Sequence, residues 1–145
     1  TAICLEWKFN DNLTHFIENT FHMLEMVQEP ITLIGSSEGG NFAWQIQHML
    51  LEVGISCDLI LINPFVEIMY KYEDNFPKHL LQYLKPMNHF IRTKVIIGLQ
   101  DEVLNANQTR AHFEMYDFNH PGNVEIILVK DDHRISNFSE VMPMI

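Results

Sequence analysis

The chain has 145 residues and a formal charge of −10, with nineteen acidic side chains against nine Lys and Arg. This balance repels phosphate backbones and argues against nucleic acid as a partner. The length predicts one domain over residues 1–145, and no apolar run approaches the roughly 20 residues that cross a bilayer. We therefore expect a cytoplasmic protein with no membrane partner.

The amino-terminal part of the chain predicts two strands and a helix. Ala2–Leu5 is a short apolar run typical of a strand. The polar residues Asn10–Asn12 offer caps for a helix whose apolar face begins at Leu13 and which Pro30 ends. Ile31–Ile34 predicts a second strand, directly before a glycine- and serine-rich turn.

That turn has the pattern Gly-x-Ser-x-Gly over residues 35–39 and leads into a predicted helix that ends near Val53. A serine on a sharp strand-to-helix turn is pushed clear of the sheet, so Ser37 is the candidate nucleophile. Backbone N–H groups at the helix start, beginning with that of Glu38, would face negative charge that develops beside it. We expect Gly35 and Gly39 to be small because a side chain at either position would strike the neighbouring strand or helix.

The remainder of the chain alternates strands with helical segments. Residues 65–92 are aromatic and irregular, and we interpret them as a cap over a pocket; a plain crossover helix with a long loop is the alternative. The other predicted elements are strands at Cys57–Ile62, Lys94–Leu99 and Val124–Val129, and helices at Asn107–Tyr116 and Phe138–Ile145. Strands separated by crossover-length helices predict an α/β protein, with a mostly parallel sheet and helices on both faces.

Two further residues follow predicted strands and are expected at the same sheet edge as Ser37. Asp101 comes just after one buried strand and His133 just after another, and sites in such sheets form beyond the carboxyl ends of the strands. The chain order Ser, Asp, His is that of α/β-hydrolases. In this interpretation His133 exchanges protons with Ser37, and Asp101 holds the imidazole; Glu102 is the runner-up acid. His120 precedes its strand and should emerge at the opposite edge.

The acidic loop before His133 and the two cysteines have simpler interpretations. Asp131, Asp132 and His133 are potential metal ligands, but three neighbours on one loop with no distant partner make a poor site, so we predict no metal. Cys4 and Cys57 lie in apolar runs without metal or redox spacing, and we expect buried, reduced thiols.

The sequence resembles the small bacterial YqiA-type esterases of the α/β-hydrolase superfamily. The matching pieces are Ile34-Gly35-Ser36-Ser37 with Gly39-Gly40, Asn63-Pro64, Asp101-Glu102-Val103-Leu104, and His133 followed shortly by Phe138. The resemblance runs from the first strand to the carboxyl end. It implies an esterase acting on small-molecule acyl esters, with Ser37, Asp101 and His133 in the catalytic roles.

We therefore expect a serine acyl hydrolase that needs no cofactor, with its oxyanion held partly by the Glu38 N–H. The alternative is a catalytically degenerate hydrolase fold used as a binding module. No segment before Ala2 supplies the central strand and second oxyanion donor of α/β-hydrolases, so we expect a missing amino-terminal strand or a repositioned Ala2–Leu5. A missing strand would leave an apolar edge open to a second copy, as in a homodimer.

Overall fold

The fold is built on a sheet of four parallel strands flanked by helices. The structure, a computed structural model, describes residues 3–5, 12–66 and 82–144. The strands are β1 (Thr32–Ser36), β2 (Asp58–Ile62), β3 (Thr93–Gly98) and β4 (Val124–Val129), and the helices are α1 (Leu13–Leu24), α2 (Glu38–Glu52), α3 (Ala106–Asn119) and α4 (Phe138–Val141), followed by a 3-10 turn at Met142–Met144. The predicted parallel α/β architecture is confirmed.

The strands lie in the order β1-β2-β3-β4, so neighbours in the chain are neighbours in the sheet. Gly35 pairs with Leu61 of β2, and Gly98 of β3 pairs with Val129 of β4. Because all four strands run in one direction, the turns after β1 and β2 and the loops after β3 and β4 emerge at one edge.

One sheet face carries the main core. Leu59, Leu61, Val95 and Ile97 are all but fully buried there against side chains of α2 and α3, among them Trp44, Phe113 and Tyr116. Helix α1 packs on α2 in a second cluster, in which Leu13 and Leu50 are fully buried. On the opposite face, Ile60 and Ile96 pack with Ile135 from the loop after β4. These clusters hold the strand ends, and therefore the loops at them, in fixed positions.

Local signals set the helix ends. Asn12 caps α1, because its side-chain oxygen accepts the Thr14 N–H at 3.0 Å. Asn105 caps α3 through the Gln108 N–H at 3.1 Å. Gly54 follows α2 with a φ of 83°, which ends that helix where the sequence predicts.

Strand β1 lies at the edge of the sheet in the part of the chain that the structure describes. Residues 3–5 form no strand there, so the predicted strand at Ala2–Leu5 is wrong for these residues. Leu5 instead contributes to an apolar hollow of about 360 Å³ along β1, with Phe16, Ile34 and Phe42 among its walls. Ile34, one of these wall residues, is 63% exposed.

A chain segment over residues 83–91 runs across α2 and α3 and is held by their side chains. Alternate carbonyl oxygens along it accept hydrogen bonds, and the pairs are Gln45 with Tyr83, Asn41 with Lys85, His112 with Met87, Trp44 with His89, and Gln47 with Ile91. Residues 67–81 of the predicted cap lie outside the described residues. The cap therefore stays a prediction.

The two cysteine thiols differ in their exposure to solvent. Both cysteines are free, with Cys57 buried, whereas Cys4 is exposed, so the expectation of a buried thiol is wrong for Cys4. Burial raises the pKa of Cys57 to about 11.

Within the described ranges, no helix combines the length and apolar character that a membrane crossing requires.

Candidate active site

Ser37 lies between β1 and α2 in a strained backbone conformation. Its φ is 53° and its ψ is −124°, backbone angles that residues other than glycine rarely adopt. The Ser37 N–H donates to the Ile62 carbonyl at 2.9 Å, and its carbonyl accepts the N–H groups of Gly40 and Phe65, both at 3.1 Å. Contacts on both sides of the residue therefore hold the strained turn in place.

The glycines around Ser37 allow α2 to start directly against β1. A Cβ added at Gly35 would lie 2.7 Å from the Gly40 Cα, and one added at Gly40 would lie 3.2 Å from both the Gly35 oxygen and the Pro64 Cβ. A Cβ at Gly39 would meet no atom within 4 Å. The close approach predicted at Gly35 is present, whereas the prediction for Gly39 is wrong. Gly40 is the second position at which a side chain would be crowded.

Three side chains from distant parts of the chain form one hydrogen-bonded row. The Ser37 Oγ lies 3.0 Å from the His133 Nε2, and the His133 Nδ1 lies 2.7 Å from the Asp101 Oδ2. The side chain of His133 is 12% exposed and that of Asp101 is 2% exposed. Because the carboxylate only accepts, it selects the tautomer with the proton on Nδ1, which leaves Nε2 as an acceptor facing the serine.

Asp101 also organises its own loop. Its Oδ1 accepts the N–H groups of Val103 and Leu104, each at 2.8 Å. The carboxylate is therefore fixed by two backbone donors while its other oxygen holds the imidazole.

The two glutamates near the row have different positions. The Glu102 carboxylate accepts the backbone N–H of His133 at 3.1 Å, and the oxygen facing the imidazole belongs to Asp101. Glu38 is the first residue of α2 and partly exposed. Its N–H has no carbonyl one helical turn earlier to bind, so it is available to an anion beside Ser37.

The loop that carries His133 is built by its own acidic residues. Asp131 is 4% exposed, and its carboxylate accepts the Asn137 N–H at 2.9 Å. Asp132 accepts the N–H groups of Arg134 at 3.0 Å and Ser136 at 3.1 Å and also binds the Ser136 hydroxyl. The Ser136 hydroxyl is the largest cause of a lowered pKa at Asp132, and backbone donors add to it. Both carboxylates therefore shape the loop.

Asn63 is a residue near the site that the sequence marks only as part of an Asn-Pro pair. It follows β2, is 1% exposed, and donates to the His133 carbonyl at 2.8 Å. The signal available in the sequence is an amide directly after a buried strand, at the edge where the predicted site lies. Among the described residues, no group of three His, Cys, Asp or Glu side chains is arranged to hold a metal ion.

No protein-family model and no curated protein sequence matches the chain. Solved structures do resemble it. The type II thioesterase BorB from the borrelidin biosynthetic cluster is 14% identical with a TM-score of 0.64, over 92% of this chain and 68% of that one. An esterase from Pyrococcus furiosus is 21% identical with a TM-score of 0.60, over 89% of this chain and 58% of that one.

The pyrethroid hydrolase PytH is also similar, with 14% identity and a TM-score of 0.54, over 92% of this chain and 77% of that one. The chain thus spans roughly three fifths to three quarters of the lengths of these proteins. At such low identity the likeness concerns the fold, and it shows that the chain has the α/β-hydrolase fold.

Proposed function

We propose that the chain hydrolyses acyl esters, thioesters included, through a covalent acyl-enzyme on Ser37. The observation that carries this proposal is the row from Ser37 Oγ through His133 to Asp101, with donor–acceptor distances of 3.0 and 2.7 Å. The thioesterase and the esterase among the similar structures support the same class of chemistry, and the resemblance to YqiA-type esterases favours small-molecule esters.

In the first half of the reaction the Ser37 Oγ attacks the carbonyl carbon while its proton passes to the His133 Nε2. The carbonyl oxygen becomes an oxyanion, which accepts a hydrogen bond from the Glu38 N–H at the start of α2. The intermediate collapses when the bond to the alcohol or thiol breaks, and His133 returns its proton to that leaving group. Asp101 stabilises the imidazolium throughout.

In the second half a water molecule attacks the acyl-enzyme carbonyl, and His133 accepts the proton from the water. The second tetrahedral intermediate breaks at the bond to Ser37 Oγ, which takes the proton from the imidazolium. The products are the free acid and the regenerated serine. No oxidant, reductant or further co-reactant enters the balance.

A catalytically degenerate hydrolase fold, used for binding, is the second candidate, and Glu38 favours it. The partly exposed Glu38 carboxylate follows the nucleophile directly, and negative charge there opposes a developing oxyanion. The start of α2 offsets this in part, because a helix amino terminus attracts negative charge. The two candidates predict opposite results with an activated ester.

Paired serine variants test the proposal. Turnover of a short p-nitrophenyl ester and of an acyl thioester is measured for Ser37→Ala and for Ser36→Ala, the neighbouring serine that ends β1. We expect Ser37→Ala to lower kcat on the order of a thousandfold or more, whereas Ser36→Ala keeps its turnover. Equal turnover in Ser37→Ala and the wild type contradicts the mechanism. A folded wild type without turnover favours the binding module.

A further inference from the structure

We propose that Asn63 is a positioning residue that sets the place of the His133 imidazole, an inference that rests on the proposed function. Asn63 lies directly after β2 and is 1% exposed, with a positive φ of 41°. Its backbone N–H donates to the Ile96 carbonyl of β3 at 2.9 Å. The backbone of Asn63 is therefore bound to β3 independently of its side chain.

The Asn63 amide joins the end of β3 to the loop that carries His133. Its Oδ1 accepts the Gly98 N–H at 2.7 Å. Its Nδ2 donates to the carbonyls of Asp132 at 3.1 Å and His133 at 2.8 Å. A backbone N–H can only donate and carbonyls can only accept, so this orientation of the amide is the one that satisfies all three partners.

The contact to His133 is close to the reacting atoms. The His133 carbonyl accepts a hydrogen bond from Asn63, and the His133 N–H donates to Glu102. The His133 side chain lies between Asp101 and Ser37. Both ends of the residue's main chain are thus fixed. Asn63, which binds the carbonyl, is buried, so water cannot replace its hydrogen bonds. Glu102, which binds the N–H, is exposed.

The loop that carries His133 packs tightly against the end of β3 beside this amide. A Cβ added at Gly98 would lie 2.6 Å from the Asp132 oxygen and 2.8 Å from the Asp131 oxygen, so the loop carbonyls rest directly on the end of β3. Without the amide, the part-buried His133 carbonyl loses its Asn63 donor, and the Asp132 carbonyl keeps the Ile135 N–H at 3.3 Å. We expect the loop to shift toward other donors, and the imidazole to shift with it.

The test removes the amide while it preserves the backbone. Asn63→Gly adopts the positive φ without strain, and Gln47→Ala is the matched control. Gln47 is 0% exposed and also donates to two carbonyls, those of Cys57 at 3.1 Å and Ile91 at 2.9 Å, away from the site. We expect both variants to unfold at lower urea concentration. Only Asn63→Gly should lower kcat, by roughly tenfold to a hundredfold, with KM nearly unchanged.

A His133→Ala background separates positioning from general weakening of the fold. If Asn63 acts through His133, Asn63→Gly has no further effect on the residual rate in that background. Equal losses in both backgrounds, or an unchanged kcat in Asn63→Gly, would overturn the inference. Asn63→Asp, which keeps the acceptor for Gly98 and loses the donor, takes the place of Asn63→Gly if the latter does not fold.

An NMR measurement tests the role of Asn63 without measuring turnover. The proton on His133 Nδ1, hydrogen-bonded to Asp101, should give a low-field NMR signal that is absent in His133→Ala. We expect this signal to shift or broaden in Asn63→Gly and to stay unchanged in Gln47→Ala. If it stays unchanged in Asn63→Gly as well, the inference fails. If Ser37→Ala and His133→Ala keep full turnover, the proposed function fails, and the NMR comparison still decides the role of Asn63.

Discussion

The junction between β1 and α2 gives the sharpest prediction about the fold, because two glycines that look equivalent in the sequence have opposite surroundings. A Cβ at Gly35 would lie 2.7 Å from both the Gly39 carbonyl carbon and the Gly40 Cα, whereas a Cβ at Gly39 meets nothing within 4 Å. The atoms that Gly35→Ala would strike are backbone atoms in the first turn of α2. They cannot move aside unless the helix moves away from the strand.

The magnitudes follow from this geometry. Overpacking of a tight site typically costs 1–3 kcal/mol, and a rigid backbone neighbour places Gly35→Ala at about 3 kcal/mol or more. Gly39→Ala fills open space in a helix and should gain up to about 0.5–1 kcal/mol. The two variants should therefore differ in free energy of unfolding by at least about 3 kcal/mol, a large part of the 5–15 kcal/mol typical of a domain.

Urea denaturation followed by circular dichroism measures this difference directly, with equal m values as the check that both variants unfold in the same way. Gly35→Ala should also lose turnover, since Ser37 sits on the distorted turn, while Gly39→Ala keeps it. If Gly35→Ala is as stable as the wild type, or if Gly39→Ala is the more damaging change, then α2 does not start against β1 as described.

Three further predictions concern titratable groups. Asp101→Asn should lower kcat on the order of 10⁴-fold in steady-state assays, because an amide can hold the imidazole in the wrong tautomer, and a loss of a few-fold would argue against that role. Burial lowers the pKa of His48, so below about pH 6.5 the folded state binds fewer protons than the unfolded state. The free energy of unfolding should therefore fall as the pH drops from 7. His48→Leu should flatten that dependence in urea titrations at several pH values; an unchanged slope would contradict the assignment. Because burial raises the pKa of Cys57 to about 11, iodoacetamide at pH 8 should modify the exposed Cys4 first, and mass spectrometry that finds Cys57 modified equally fast would refute this order.

The central strands β2 and β3 could be predicted from the sequence because they are largely buried on both faces. Runs such as Val95–Ile97 are apolar at every position, and the glycines and polar residues after them mark where the strands end. The run at Ala2–Leu5 looks similar, yet residues 3–5 form no strand. An apolar run becomes a strand only when a neighbouring strand offers it backbone partners, and the sequence does not state where such an edge lies.

The candidate site could be predicted to the level of residue types at strand ends. Ser37, Asp101 and His133 follow β1, β3 and β4, and the parallel sheet brings all three to one edge. Their side chains lie within hydrogen-bond distance of one another. Their catalytic roles stay a prediction.

The supporting contacts could not be predicted, because they join residues far apart in the chain. Asn63 binds carbonyls of the loop some 70 residues later, and its partners are backbone atoms that carry no sequence signal. The acidic pair Asp131 and Asp132 has the composition of potential metal ligands, whereas in the structure both carboxylates accept hydrogen bonds from backbone N–H groups of the loop. Likewise, the sequence alone does not say which glycine of the pair after Ser37 faces the strand.

Reaction with a fluorophosphonate probe tests the central claim most directly, because the probe reacts with a serine only where a base activates its hydroxyl. Peptide mapping by mass spectrometry after labelling should find the phosphonyl group on Ser37 and leave Ser36 unmodified. His133→Ala should label far more slowly, although it keeps the serine. Label on Ser36, equal labelling of His133→Ala, or no label on the folded wild type would contradict the account.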